Sequence, residues 1–110
     1  MPKRPDNLQG ALDLLILKTL ASRGPLHGYG IALHVESVSD DVLRVEEGSL
    51  YPALHRMEQE GWVRSNWRTS ENNRRAKFYG ITAVGAQRLA DEEHTWRLVV
   101  DAIQRVLQFS

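Results

Sequence analysis

Residues 47–61, EGSLYPALHRMEQEG, decide how the rest of the chain is read. At about 100° per residue, Leu50, Leu54 and Met57 fall within one narrow arc with Ala53 at its edge, an apolar stripe that faces a core. Tyr51, Pro52, His55, Arg56 and Gln59 fall on the far side. Gly48 or Ser49 can cap this helix, Ser49 by accepting from an orphan backbone N–H. Pro52 is then expected in the first turn, where its missing donor costs nothing. Gly61 can take the left-handed conformation that stops the helix. The outward face is polar and aromatic at its start and acidic later, at Glu58 and Glu60. A helix of this kind docks on phosphates N-terminus first, keeping those carboxylates away from them. Taken alone it is an ordinary amphipathic core helix; the residues on its C-terminal side change the reading.

After Gly61 the pattern changes period. In WVRSNWRT, Val63, Ser65 and Trp67 alternate with Arg64, Asn66 and Arg68, the signature of a strand. Ser70-Glu71-Asn72-Asn73 is turn chemistry, and AKFYGI is a second strand in which Phe78 and Tyr79 favour extended backbone. The two strands make a hairpin. Between Trp62 and Ile81 five basic residues face one acid, Glu71, in a chain whose formal net charge is zero. Nucleic-acid binding would therefore rest on charge distribution rather than net charge. Arg74, Arg75 and Lys77 are expected at the hairpin tip, where flexible cations reach phosphates or a minor groove.

Upstream, residues 1–7 (MPKRPDN) are expected to be a flexible arm whose Lys3 and Arg4 can brush a phosphate backbone. Asp6 or Asn7 would cap a first helix in which Leu8, Leu12, Leu15 and Thr19 form one stripe, widened by Ala11, Leu14, Ile16 and Leu17. A helix apolar on more than one side in so small a domain needs two partners, its own core and a second subunit. Gly24-Pro25 ends it. A second helix begins near Leu26 or His27 and carries Ile31, Val35 and Val38. Gly28 and Gly30 in its first turn suggest close approach of backbone to a neighbouring helix or a phosphate, or merely a turn that uses glycine. Tyr29 between them can donate to a phosphate oxygen. Val42, Leu43 and Val45 read as a short, extended lead into the next helix. Three helices followed by a basic hairpin is the order of a winged helix-turn-helix, so residues 8–81 are expected to form that domain.

Residues 82–110 form a third region. Thr82 is a plausible N-cap, and no proline occurs between it and Ser110. At about 1.5 Å per residue this helix would reach about 40 Å, too long to pack wholly on one small domain. Leu89, Trp96, Val100, Ile103 and Leu107 recur at coiled-coil-like spacing. They are expected, with Leu8, Leu12 and Leu15 of the first helix, to line a twofold interface. The expected fold is mainly α with a small β-hairpin, a winged helix-turn-helix plus a long C-terminal dimerisation helix.

GSLYPALHRMEQEGWVRSNW, then NNRRAKFYGIT and Gly85, closely resembles the signature of PadR-like transcriptional regulators, and HGYGI in the second helix fits as well. The departures are Met57, Phe78 and Ile81, where the family has Leu, Tyr and Leu. The resemblance implies a dimeric DNA-binding repressor whose third helix enters the major groove while the wing touches backbone or minor groove. Tyr51, His55 and Arg56 are the expected base-edge or near-groove residues, with Pro52 beside them on the same face. Ser49, Tyr29, Arg74, Arg75 and Lys77 are expected to hold phosphate, each subunit covering half of an inverted repeat. In short-tailed relatives the space between subunits can take flat aromatic compounds. Trp96 would stack on such an effector or simply fill the seam.

Other classes fare poorly. His27, His34, His55 and His94 are scattered, and His27 and His34 are seven apart rather than the four that build a zinc face. No nucleophile elbow or phosphate loop is present, so neither catalysis nor a cofactor or metal is expected. No apolar run approaches membrane-spanning length and there is no signal peptide. The absence of cysteine suits a reducing compartment, and a cytoplasmic protein is expected. The alternative is a winged-helix protein-interaction module without a DNA role, which would have no need of Arg74, Arg75 and Lys77 together.

Overall fold

The computed structural model describes residues 4–109, with side chains from residue 11 onward. Lys3 and the side chains of Arg4 and Leu8 therefore lie outside the described residues. Helix α1 (Arg4–Arg23) begins ahead of Asp6 and Asn7 and runs through part of the stretch read as an arm. It ends at Gly24, whose φ of +80° and N–H bond to the Leu20 carbonyl (3.0 Å) make a glycine C-terminal stop. Strand β1 (Leu26–His27) comes directly after it. Helix α2 (Gly28–Val38) is capped by His27, whose side chain accepts from the Gly30 N–H. Beyond α2, Asp40 and Asp41 both adopt left-handed backbone, a conformation short polar side chains tolerate.

The segment holding Val42, Leu43 and Val45 is not a strand but an irregular link. Side chains from α2 and its C-cap hold it: Ser39 Oγ accepts from Leu43 N–H at 3.0 Å, and Glu36 Oε2 from Val45 N–H at 3.2 Å. These bonds, rather than strand pairing, satisfy its backbone. They deliver Glu46 in extended conformation, so α3 (Glu47–Gln59) starts earlier than its sequence suggests. Glu46 occupies the N-cap position without a side-chain bond, and neither Gly48 nor Ser49 is the cap. Pro52 is consequently in the second turn. The Gly48 carbonyl that loses its donor lies on the exposed side, where water can serve it. Gly61 (φ +82°) closes the helix as expected.

Strands β2 (Val63–Thr69) and β3 (Arg75–Ile81) form the wing, with Ser65 opposite Tyr79, Trp67 opposite Lys77 and Thr69 opposite Arg75. The turn is closed by Ser70 and Arg74, and Asn73 takes the left-handed position. Strand β1 adds to the other side of β3, giving an antiparallel sheet of order β1-β3-β2 where a two-stranded hairpin was expected. Two residues are too short to show periodicity in sequence.

Helix α4 (Ala83–Gln108) is capped by Thr82, whose Oγ1 accepts from Gly85 N–H at 3.0 Å. The same hydroxyl can donate to the Gly61 or Trp62 carbonyl, tying the helix start to the end of α3. A Cβ on Gly85 would run into the Trp62 carbonyl oxygen, so the joint admits only glycine at this spacing.

The core joins Ile16, Leu17 and Leu20 of α1, Ile31 of α2, Leu50, Leu54 and Met57 of α3, Val63 and Tyr79 of the wing, and Leu89 of α4. Leu89, expected in a dimer seam, is 9% exposed and belongs to this core. The reason is that the first turns of α4 still lie against α1, where Lys18 and Glu93 also meet at 3.7 Å. Farther along, Val100, Ile103 and Leu107 are 42%, 51% and 77% exposed among the described residues. Among the described residues no helix is long and apolar enough to cross a membrane.

Candidate nucleic-acid interface

Helix α3 presents three distinct sides. Leu50, Ala53, Leu54 and Met57 are buried, as the stripe requires. Ser49, Pro52, His55 and Gln59 are exposed. Arg56, expected beside His55, instead turns toward α1. Its Nη1 and Nη2 donate to Asp13 Oδ2 and Oδ1 at 3.1 and 2.8 Å, a bidentate fork. Asp13 is 8% exposed, and its hydrogen bond is the main reason the guanidinium pKa is raised, ahead of any charge effect. A long side chain at the edge of the polar arc can reach sideways to a buried carboxylate, which the helical wheel does not reveal. Arg56 thus ties α3 to α1 through Asp13, and its guanidinium turns away from His55, beside which the sequence placed it.

Tyr51 leans to the opposite flank. Its ring covers the first turn of α2 so closely that a Cβ on Gly28 would sit 2.5 Å from the phenolic oxygen. Of the sequence alternatives for this glycine, close approach of a neighbouring helix is the one found. Burial first, and Glu47 second, raise the Tyr51 pKa above that of an ordinary phenol. The group is therefore neutral at physiological pH and available as a donor. Tyr29 projects outward, 64% exposed, with the His27 ring near it at 6.4 Å.

The wing closes the other side. Arg74 sits exposed in the turn, and the Arg75 guanidinium lies 5.6 Å from the centre of the Trp67 ring. Arg75 and Trp67 are on the strand face that also carries Tyr79 and Ser65, as alternation across the register dictates. Lys77, expected at the tip, is in mid-strand opposite Trp67. Its Nζ is 3.6 Å from Glu58 Oε1 and 5.8 Å from the Tyr79 ring centre. Glu58 also accepts from Ser65 Oγ at 2.7 Å, so this α3 carboxylate anchors the wing to the helix. Burial, then Glu58 and Tyr51, raise the pKa of Tyr79, which is likewise a neutral phenol.

These parts enclose one open concavity of about 460 Å³, lined by His27, Gly28, Tyr29 and Tyr51 on the helical side and by Trp67, Arg74, Arg75 and Lys77 on the wing. Tyr29, Tyr51, Arg74, Arg75 and Lys77 are thus brought together from distant parts of the sequence. Ser49, Pro52 and His55 remain outside it on α3, and Arg56 is against α1. Sequence reasoning missed His27 and Trp67. The alternation that places Trp67 on the Arg75 face was readable, whereas the His27 position depends on the short third strand.

Of the residues expected at a subunit interface, Leu12 and Leu15 are half-buried and line a shallow groove with Ala11, Leu43 and Val45. Trp96 is half-buried on α4. Among the described residues no group of acidic and histidine side chains is arranged to hold a metal.

The sequence pattern of the Transcriptional regulator PadR-like family matches residues 16–91. Over 83 residues the chain is 39% identical to an uncharacterized 37.1 kDa protein in transposon TN4556 of Streptomyces fradiae, covering 76% of this chain and 22% of that protein. It therefore spans only about a fifth of that relative's length. Among solved structures it is similar to a transcriptional regulator from Clostridium thermocellum, with TM-score 0.80 and 27% identity over 96% of each chain. It is also similar to a PadR family transcriptional regulator from Eggerthella lenta, with TM-score 0.73 and 28% identity over 96% of this chain and 90% of that one.

Proposed function

This chain belongs to the PadR-like family of transcriptional regulators, and on that premise we propose that it is a sequence-specific DNA-binding repressor acting as a homodimer on an inverted repeat. The observation that supports the reading is the concavity in which Tyr29 and Tyr51 face Arg74 and Arg75, next to the exposed side of α3. Duplex DNA offers both things this surface suits, a grooved array of base edges and a row of phosphates. His55 and Pro52 enter the major groove with α3; Tyr51, grouped with them in the sequence, leans over α2 and joins Tyr29, Arg74, Arg75 and Ser49 in fixing register on the backbone. Lys77 contributes to the positive field although Glu58 offsets part of its charge.

Pairing of two copies through α4 covers Trp96, Val100, Ile103 and Leu107 and, with Leu12 and Leu15 of α1, supplies an isologous interface. The two α3 helices then lie about 34 Å apart, one turn of duplex, or a multiple of that distance. Release occurs if a flat aromatic effector stacks on Trp96 and binds more tightly to a dimer with another head separation. A ligand with equal affinity for both separations would shift nothing.

The test is duplex affinity against salt. With roughly six to ten phosphate contacts per dimer, the association constant should fall about 10³-fold or more between 50 and 200 mM salt. Binding that is absent, or indifferent to salt, contradicts this function and favours a protein-interaction module.

A further inference from the structure

A carboxylate from α3 stands against the basic wing. Glu58 is held in place by Ser65, whose Oγ donates to its Oε2 at 2.7 Å. Its other oxygen, Oε1, is 3.6 Å from Lys77 Nζ, longer than the roughly 2.7–2.9 Å of a charge-assisted hydrogen bond. The Lys77 and Glu58 side chains are 38% and 34% exposed. A partly exposed pair at that distance is weak, and the member able to leave it is Lys77, a compact ammonium on a flexible stem. Lys77 lines the concavity with Arg74 and Arg75, on the strand face that carries Trp67 and Tyr79. Arg75 rests against an aromatic ring, whereas Lys77 faces a carboxylate.

Resting on the DNA-binding reading, we propose that Glu58 restrains the affinity of this surface, its carboxylate competing with duplex phosphate for Lys77. In the free protein the charges of Lys77 and Glu58 cancel. On a duplex the ammonium turns to a phosphate oxygen, while Ser65 keeps Glu58 where it is. The new phosphate contact is then offset by loss of the internal pair and by a carboxylate left near a polyanion. Each subunit therefore binds less tightly than its count of wing cations implies. Phosphate contacts of this kind set non-specific binding, so the restraint limits how firmly the protein holds sequences it does not read. A purely structural Glu58, joining α3 to the wing through Ser65, would need an acceptor oxygen but no charge.

That difference is measurable. Glu58→Gln removes the charge and keeps an amide oxygen to accept from Ser65. The probe is a duplex of mixed sequence, titrated at several salt concentrations with the full chain. Glu58→Gln should bind about three- to tenfold more tightly, two weak pairs being relieved per dimer. The slope of log K against log salt should steepen, because each subunit presents one more uncompensated cation. Misfolding cannot imitate such a gain. Lys77→Ala should weaken binding, and in its background Glu58→Gln should lose most of its gain, a coupling that a double-mutant cycle measures. Unchanged or weaker binding by a folded Glu58→Gln chain overturns the proposal. So does a gain of the same size without Lys77, which would mean that Glu58 acts through its general field rather than by competition. If Glu58→Gln unfolds early, Glu58→Ala with Ser65→Ala decides, since it removes charge and hydroxyl together. That chain should show the same gain, and wild-type affinity in it overturns the proposal. A wild-type chain that binds no duplex would instead overturn the regulator reading on which the proposal rests.

Discussion

Replacing Arg56 with alanine separates holding the recognition helix from reading with it. The guanidinium fork closes on Asp13, which is 8% exposed, while the arginine side chain itself is 35% exposed. Removing one partner of a fully buried pair costs about 3–5 kcal/mol, because the other charge is stranded. Partial exposure of Arg56 lets water reach the stranded Asp13, which reduces the expected loss to about 2–3 kcal/mol. At about 2.1 cal/mol/K of unfolding entropy per residue, that lowers Tm by roughly 9–13 °C. Asp13→Asn should lose part of the same stability, and the double variant should show a coupling energy of about 1–2 kcal/mol. An apolar pair, Asp13→Leu with Arg56→Met, should recover much of the loss. Thermal unfolding followed by circular dichroism measures each step. In DNA binding, Arg56→Ala should weaken every sequence alike, whereas His55→Ala should blunt preference at one base step by about 1–3 kcal/mol. An Arg56→Ala protein with unchanged Tm and altered preference at one base pair would refute the assignment and restore Arg56 to the groove.

Gly85→Ala forces a methyl group against the Trp62 carbonyl and should cost about 3 kcal/mol in urea unfolding, with an unchanged midpoint contradicting the tight joint. Gly28→Ala displaces the Tyr51 ring, so duplex affinity should fall at every salt concentration, and an unaltered titration would show that Tyr51 makes no contact. Ile103→Glu places a charge on the uncovered part of α4 and should turn a sedimenting dimer into a monomer with much weaker binding; a persistent dimer would locate the interface elsewhere. Planar aromatic compounds should quench tryptophan emission in the wild type but not in Trp96→Ala, with Trp62 and Trp67 variants as controls. Quenching that survives Trp96→Ala would remove that residue from any effector site.

Features set by local chemistry were legible in the sequence. The α3 stripe, the glycine stop at Gly61, the Thr82 cap and the turn at residues 70–73 each depend on neighbours within a few residues. What escaped depends on partners far along the chain. Arg56 meets an aspartate 43 residues away, and β1 exists only because β3 offers it an edge. Leu89 shares the spacing of the exposed α4 residues but falls where α1 still covers the helix. Pro52 sits in the second turn because α3 already starts at Glu47, after a link held by Glu36 that has no signature in the helical pattern. The concavity was half visible. Its cations and tyrosines stood out by residue type, whereas the enclosing geometry required the assembled fold.

Hydroxyl-radical footprinting of the purified protein on a genomic fragment selected by its own binding tests the central claim most directly. Two related patches of protection centred about one helical turn, 10–10.5 bp, or a multiple of it apart are expected, each flanked by protection from a wing. A single isolated patch, or none at saturating protein, would contradict two paired heads reading one duplex.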